Sequence, residues 1–213
     1  MPLTPEQVDG LGIALNEASW HDLSIDQPAR SVSALMTVLA RDAAGAEALD
    51  PRRTLRFTGV SRVVASYRAG PWDDAAAPAL PLDADGLHEL LRRSGGTPVY
   101  GWEFVDADDR SWPDWRTRLS LDLTLGGPGG HHVTLFQDLQ GKAHLDLRAW
   151  FSDLAVLDGN GSGLDLDEFI AGGVRWWDAM YAGERSDLAP GIVGLRPEES
   201  KARWWDRFRR TPR

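Results

Sequence analysis

One stretch of the chain has spacing that could hold a metal ion: Asp158-Gly159-Asn160-Gly161-Ser162-Gly163. Oxygen-bearing side chains at its first, third and fifth positions and a glycine at the sixth match the opening of an EF-hand loop, where they would ligate calcium and permit the turn. Its second half departs from that chemistry. The bidentate acid belongs at the twelfth position, which is Phe169, with Glu168 one residue early, and Leu154-Ala155-Val156 ahead of the loop reads as a strand rather than a helix. A glycine-rich β turn leading into a helix cap is the expectation, with no metal assigned to it.

The other reactive side chains are equally short of a constellation. His131, His132 and His144 could offer imidazoles, but neighbours on a strand point to opposite faces, so only one of the adjacent pair can join His144. His88-Glu89 lacks the second histidine of a zinc-protease helix. Gly161-Ser162-Gly163 is no nucleophile elbow, because Asn160 and Leu164 stand where that turn needs glycine. Two neighbouring carboxylates among Asp106, Asp108 and Asp109 could do acid–base work, yet they sit in a hydrophilic loop where solvated charge is the expectation. The absence of cysteine excludes thiolate nucleophiles, thiolate metal sites and disulfides together, and is compatible with a reducing cytosol. No cofactor is expected, and the reading leans away from an enzyme.

Charge narrows the partners. The net charge is −9, and Asp73 to Asp114 holds ten acids against Arg92, Arg93 and Arg110. Such a field repels nucleic acid and attracts cationic partners. Tryptophan, used ten times, supplies large amphipathic anchors for a core or an interface. Trp176 and Trp177 diverge by about 100° on a helix, so either one packs inward and the other, taken as Trp176, is a candidate contact, or both pack at the join between the halves. The candidate partner-binding residues are therefore Asp73, Asp74, Trp102, Asp106, Asp108, Asp109 and Trp176.

The elements that must carry these residues are legible in the pattern. Thr4, Pro5 and Gln7 form an N-cap, a first-turn proline and a capping-box partner for a helix near residues 5 to 17. Period-two runs at 32–39, 54–66, 119–125, 131–136 and 144–156 predict antiparallel strands, as does Val99 to Phe104. Pro71 to Pro81 reads as a loop, and Gly126 to Gly130 as a hairpin connection between its flanking strands. Asp83 or Asp85 caps a helix with Leu87, Leu90 and Leu91; Asp165 or Asp167 caps a longer one carrying Phe169, Trp177 and Tyr181 and ending near Gly183. Gly172-Gly173 inside it marks a close contact or a kink. Glu198 to Arg210 is expected to be a short basic helix docked through Trp204 or Trp205 and Phe208, with a membrane-surface tail as the competing reading.

Landmarks recur in order. Ser19-Trp20-His21-Asp22 returns as Ser111-Trp112-Pro113-Asp114, and Leu82-Asp83-Ala84-Asp85 as Leu164-Asp165-Leu166-Asp167. This is the pattern of two units of about ninety residues, making Trp20 and Trp112 equivalent core anchors. The expected architecture is α+β: two tandem related units, each antiparallel strands followed by a helix, packed as one body. They span 1–96 and 97–196, with a basic segment over 197–213.

Trp20-His21-Asp22 through Ile25, followed by a strand and then Thr54-Leu55-Arg56-Phe57-Thr58-Gly59-Val60, resembles the small β-rich immunity proteins of bacterial polymorphic toxin systems. Those proteins show an H-D pair before the first strand and an L-x-F-x-G-V strand. The likeness covers roughly residues 19 to 66, and the second half keeps Trp and Asp but replaces the histidine by Pro113. The whole chain is also similar to uncharacterised actinobacterial proteins in its Ala, Arg, Asp and Gly bias, which implies no biochemical role. The expectation is a non-enzymatic cytoplasmic binding protein, immunity-like, whose acidic surface takes a basic protein, with neither nucleic acid nor membrane as partner. The alternative is a small-molecule or metal-dependent enzyme of unfamiliar type, with its site between the halves.

Overall fold

The computed structural model describes residues 3–71, 74, 76–94, 100–104, 116–127, 130–139 and 142–183. The chain is α+β, with three helices and two antiparallel sheets among those residues. Helix α1 (Pro5–Ala14) starts as the capping box requires: Thr4 Oγ1 accepts from Gln7 N at 3.2 Å and Gln7 Oε1 accepts from Thr4 N at 3.0 Å. Two otherwise orphaned donors are thereby satisfied. The helix stops short of residue 17, where Glu17 turns left-handed at φ 60°.

The described residues form ten strands: β1 (Ser19–Asp26), β2 (Ser31–Thr37), β3 (Arg52–Thr58), β4 (Arg62–Ala69), β5 (Tyr100–Phe104), β6 (Leu121–Thr124), β7 (His131–Asp138), β8 (Ala143–Phe151), β9 (Asp153–Leu157) and β10 (Gly163–Leu164); all but β1 and β10 fall on the runs expected from alternation. The first sheet has the order β1-β2-β3-β9-β10 and the second β5-β7-β8-β4-β6. Each sheet therefore takes strands from both halves of the chain. In the first, the β1-β2-β3 meander receives β9 from the second half; in the second, β5, β7, β8 and β6 of the second half take in β4 from the first. The glycine-rich run after β6 is not the hairpin its flanks suggest. β6 pairs with β4, while β7 pairs with β5 and β8, so the segment carries the chain from one edge of the sheet to its interior.

Two long strand runs of the sequence are each broken once, and both breaks transfer the chain between sheets. One break is at Gly59, with φ 60°, and the other at Ser152. They meet. Ser152 N donates to Thr58 O at 3.0 Å, and a Cβ on Gly59 would lie 2.9 Å from Ser152 Cβ, so both the left-handed backbone and the close approach call for glycine there. Beside this junction the Phe57 and Phe151 rings pack edge to face at 4.9 Å.

The inner faces of both sheets join one core. Trp20, Leu23, Val32, Ala34, Met36, Leu55 and Phe57 contribute from the first, and Val63, Ala65, Val133, Leu145, Leu147 and Phe151 from the second. Trp20 is the buried anchor expected of it; Trp112 lies outside the described residues. Helix α2 (Ala84–Arg93), capped by Asp83, lies against β1 and buries Leu87 and Leu91. Helix α3 (Leu166–Tyr181), capped by Asp165, packs on α1, which also touches β5. The glycines are a close-packing contact: a Cβ on Gly173 would lie 2.5 Å from Ala14 Cα, and one on Gly172 3.0 Å from Arg41 O. Among the described residues no helix is long and apolar enough to cross a membrane.

Candidate functional site

Among the described residues, the side chains singled out by sequence do not come together. Asp73, Asp106, Asp108 and Asp109 lie outside the described residues, as does the predicted helix at 198–210, and of Trp102 only its place in β5 is described. Asp74 is exposed and organises its own turn, accepting from Ala76 N at 2.9 Å. Trp176 is not an outward contact. It is 1% exposed, with its ring 5.0 Å from that of Trp177 in an edge-to-face pair, so the 100° divergence is closed by one ring packing on the other.

The histidines separate as strand geometry demands. His131 faces the core side and accepts from Leu3 N at 3.0 Å; His132 faces the opposite side against Trp150. His144 shares that outer side but sits opposite Asp138, whereas His132 sits opposite Trp150 at the other end of β8. No group of three or more metal-ligating side chains forms among the described residues. In the Asp158 loop the carboxylate is occupied locally, accepting from Asn160 N at 2.9 Å and Ser162 N at 2.8 Å. This is the turn expected there.

The H-D pair is structural in its contacts. The register of β1 against β2 slips between Trp20 and Asp22, a bulge that lets both Trp20 and Leu23 face the core although an odd spacing separates them. His21 Nε2 meets Thr37 Oγ1 at 2.6 Å, and His88 Nδ1, from α2, meets Leu23 O at 2.7 Å and Asp22 Oδ1 at 3.1 Å. A strand at the sheet edge offers unpaired carbonyls to other chains. Here a histidine, held by Asp22, covers one of them.

What sequence reading missed is an edge assembled from two distant stretches. The β2–β3 loop carries Asp42, Glu47, Leu49 and Asp50; the segment from β9 into α3 carries Asp158, Leu164, Asp165, Asp167 and Glu168. They touch directly. Gly159 lies against the Asp50 carboxylate, such that a Cβ there would be 3.0 Å from Cγ, while Arg41 N donates to Gly172 O at 3.0 Å. The Arg175 guanidinium donates to Arg41 O and to Glu168, tying the loop to the helix. The Arg52 guanidinium holds the Asp50 carboxyl down at about 2, well below the usual carboxylate range.

Seven carboxylates thus stand beside four arginines (Arg41, Arg52, Arg53, Arg175). Among the described residues the large apolar side chains left exposed are Leu49, at 106%, and Leu164, at 36%. Both belong to this edge. Along it runs a groove of about 590 Å³ between α1 and α3, with Ile170, Ala171 and Val174 exposing apolar surface and Glu6 and Asp167 supplying carboxylates. The rim is fixed by the bond from Gln7 Nε2 to Asp167 Oδ1 at 2.9 Å. An acidic rim around apolar patches favours a ligand that is cationic and carries its own apolar anchors. No family model, curated protein or solved structure matches this chain.

Proposed function

We propose that this chain is a non-enzymatic, cytoplasmic binding protein that captures a basic protein on the acidic edge formed by the β2–β3 loop, β10 and α3. The observation that carries the reading is the coincidence of Leu49 and Leu164 with that edge. Exposed leucines on two touching, carboxylate-lined loops supply anchors, and the surrounding charge speeds encounter with a cation by about 10 to 10³ at low salt. The resemblance of residues 19 to 66 to immunity proteins of toxin systems agrees with such a role, and the ordered recurrence of landmarks agrees with a duplicated scaffold. The α1–α3 groove fits a short amphipathic segment of the partner.

The test is co-expression with the product of the adjacent gene, followed by calorimetric titration at low and high salt. Binding that weakens with salt, and weakens further in Asp167→Lys and in Leu49→Ser with Leu164→Ser, supports the assignment. Binding by an acidic partner, or affinity indifferent to salt and to these substitutions, overturns it.

A further inference from the structure

Helices α1 and α3 run side by side in the same direction: Gln7 bonds to Asp167, Gly10 lies against Ile170, and Ala14 against Gly173. The groove they share is therefore laid out along α3. Ile170, Ala171 and Val174 give it an apolar middle and Glu6 and Asp167 an acidic end, while the exposed Asp178 continues the same face one turn beyond Val174. The two acids of the groove have no cationic partner among the described residues: Asp167 accepts from the neutral Gln7 amide, and Glu6 bonds to backbone and to Thr4. Arg175, on the same rim, is committed to Arg41 O and Glu168.

The sequence itself holds a ligand of the matching kind. From Lys201 to Arg213 six basic residues stand against Asp206 alone, around Trp204, Trp205 and Phe208. At helical spacing Trp204 and Phe208 share a face, with Lys201 and Arg203 before them and Arg209 and Arg210 after. The groove is the inverse: an apolar middle with Asp178 on one side and Glu6 and Asp167 on the other. The reach is sufficient. Helix α3 ends at Tyr181, so Gly183 lies about 14 Å along the axis beyond Val174 and about 24 Å beyond Asp167. Residues 184–197 can span up to about 46–50 Å, enough to turn back along the helix. Joining a ligand to its site by a short linker gives an effective concentration of about a millimolar, which favours this chain's own segment over a second copy's.

We infer that residues 198–210 dock in the α1–α3 groove of their own chain, with Trp204 and Phe208 over Ile170, Ala171 and Val174 and the flanking cations toward Asp178, Asp167 and Glu6. The groove belongs to the acidic edge, so the consequence of docking rests on the proposed function: the segment is a built-in competitor that a basic partner must displace to enter the groove. Docking itself is read on the chain alone.

The chain has no cysteine, so Ser200→Cys, and separately Thr211→Cys, places a single spin label on either side of the aromatic residues. Paramagnetic broadening of the Ile170, Ala171 and Val174 methyl signals is expected, unchanged on dilution and absent when spin-labelled chain is mixed with isotope-enriched chain that carries no label. Trp204→Ser with Phe208→Ser should remove it. Glu6→Lys with Asp167→Lys should weaken docking about tenfold, the scale of two exposed ion pairs turned to repulsion. Where the groove variant fails to fold, the aromatic variant, which leaves the body unaltered, decides. Broadening centred elsewhere, broadening between separate chains, or broadening that survives either pair of substitutions overturns the inference. So does its absence, including the case in which the segment binds anionic phosphatidylserine vesicles instead. Docking absent with partner binding intact removes this inference alone; partner binding absent with docking intact removes the proposed function alone.

Discussion

The two sheets are both five-stranded and antiparallel and share one core, yet the polar residues of their outer faces differ in burial. On the first sheet the outward residues of β2 and β3 include Ser33, Thr54, Arg56 and Thr58, none of them buried. On the second, the outward residues of β4 and β8 include Ser66, Arg68, His144 and Arg148, all buried. Both follow the same period-two alternation, so the pattern of polar residues is no guide to which face is solvated. Polar residues opposite a core ordinarily mean water. On the second sheet they are buried instead.

The largest effect is expected where the sheets are alike. Phe151→Ala, at the transfer point between them, should cost about 3–5 kcal/mol, and both sheets should be lost in a single transition by circular dichroism and by hydrogen exchange. Separate melting of the two sheets would break the view that they share one core. Gly173→Ala comes next. Alanine's intrinsic helix preference would stabilise by roughly 1 kcal/mol, but the contact with Ala14 should turn this into a net loss of about 1–3 kcal/mol through overpacking. A gain in denaturant midpoint would show that α1 and α3 can separate freely.

Titration sharpens the contrast further. Burial pushes the Asp146 carboxyl up, opposed by Arg68 and His144, so the folded chain holds that proton in a range where the unfolded chain has released it. Its contribution therefore declines as pH rises from the ordinary carboxylate value of 3.8 through the raised one. Asp50 and Glu89 behave oppositely. Both are held at about 2 by neighbouring arginines, so what they contribute is present above the ordinary range and lost as pH falls toward 2. Asp146→Asn should remove the decline at the upper window and leave the acid limb unchanged; a profile identical to the parent would mean that Asp146 is solvated like the first sheet's polar residues. The smallest effect belongs to that face: Arg56→Ala should stay within about 0.5 kcal/mol in denaturant titration, whereas Arg68→Ala should exceed it.

Local features of the fold were readable because local chemistry determines them. Thr4 with Gln7, Asp83 and Asp165 specify helix starts through bonds within four residues, and alternation identifies strands whatever they pair with. Pairing is another matter. Gly126 to Gly130 has the composition of a hairpin loop, but the edge that β6 completes belongs to β4, far away in sequence, and composition carries no trace of that choice. The acidic edge was hidden for the same reason. Asp158 was legible as a turn residue and Leu49 as nothing in particular; only the contact of Gly159 with Asp50 makes them one surface. Nothing in the period-two pattern marks Arg68 and His144 as buried, since burial of an outer face is a tertiary event.

The exchange of β4 and β9 between the sheets also governs how this chain emerges from the ribosome. When β3 and β4 have been synthesised, β9, which covers the far side of β3, and β6 and β8, which flank β4, do not yet exist. The first half must wait with three open strand edges, one on β3 and two on β4, while the second is made, and closing them requires contacts between distant parts of the chain, which slow folding and expose edges to other molecules. A chain stalled or truncated before Asp153 would keep the β9-facing edge of β3 open. For this protein, vulnerability to aggregation is therefore a matter of timing during translation, greatest in the interval between completion of β4 and the arrival of β8 and β9.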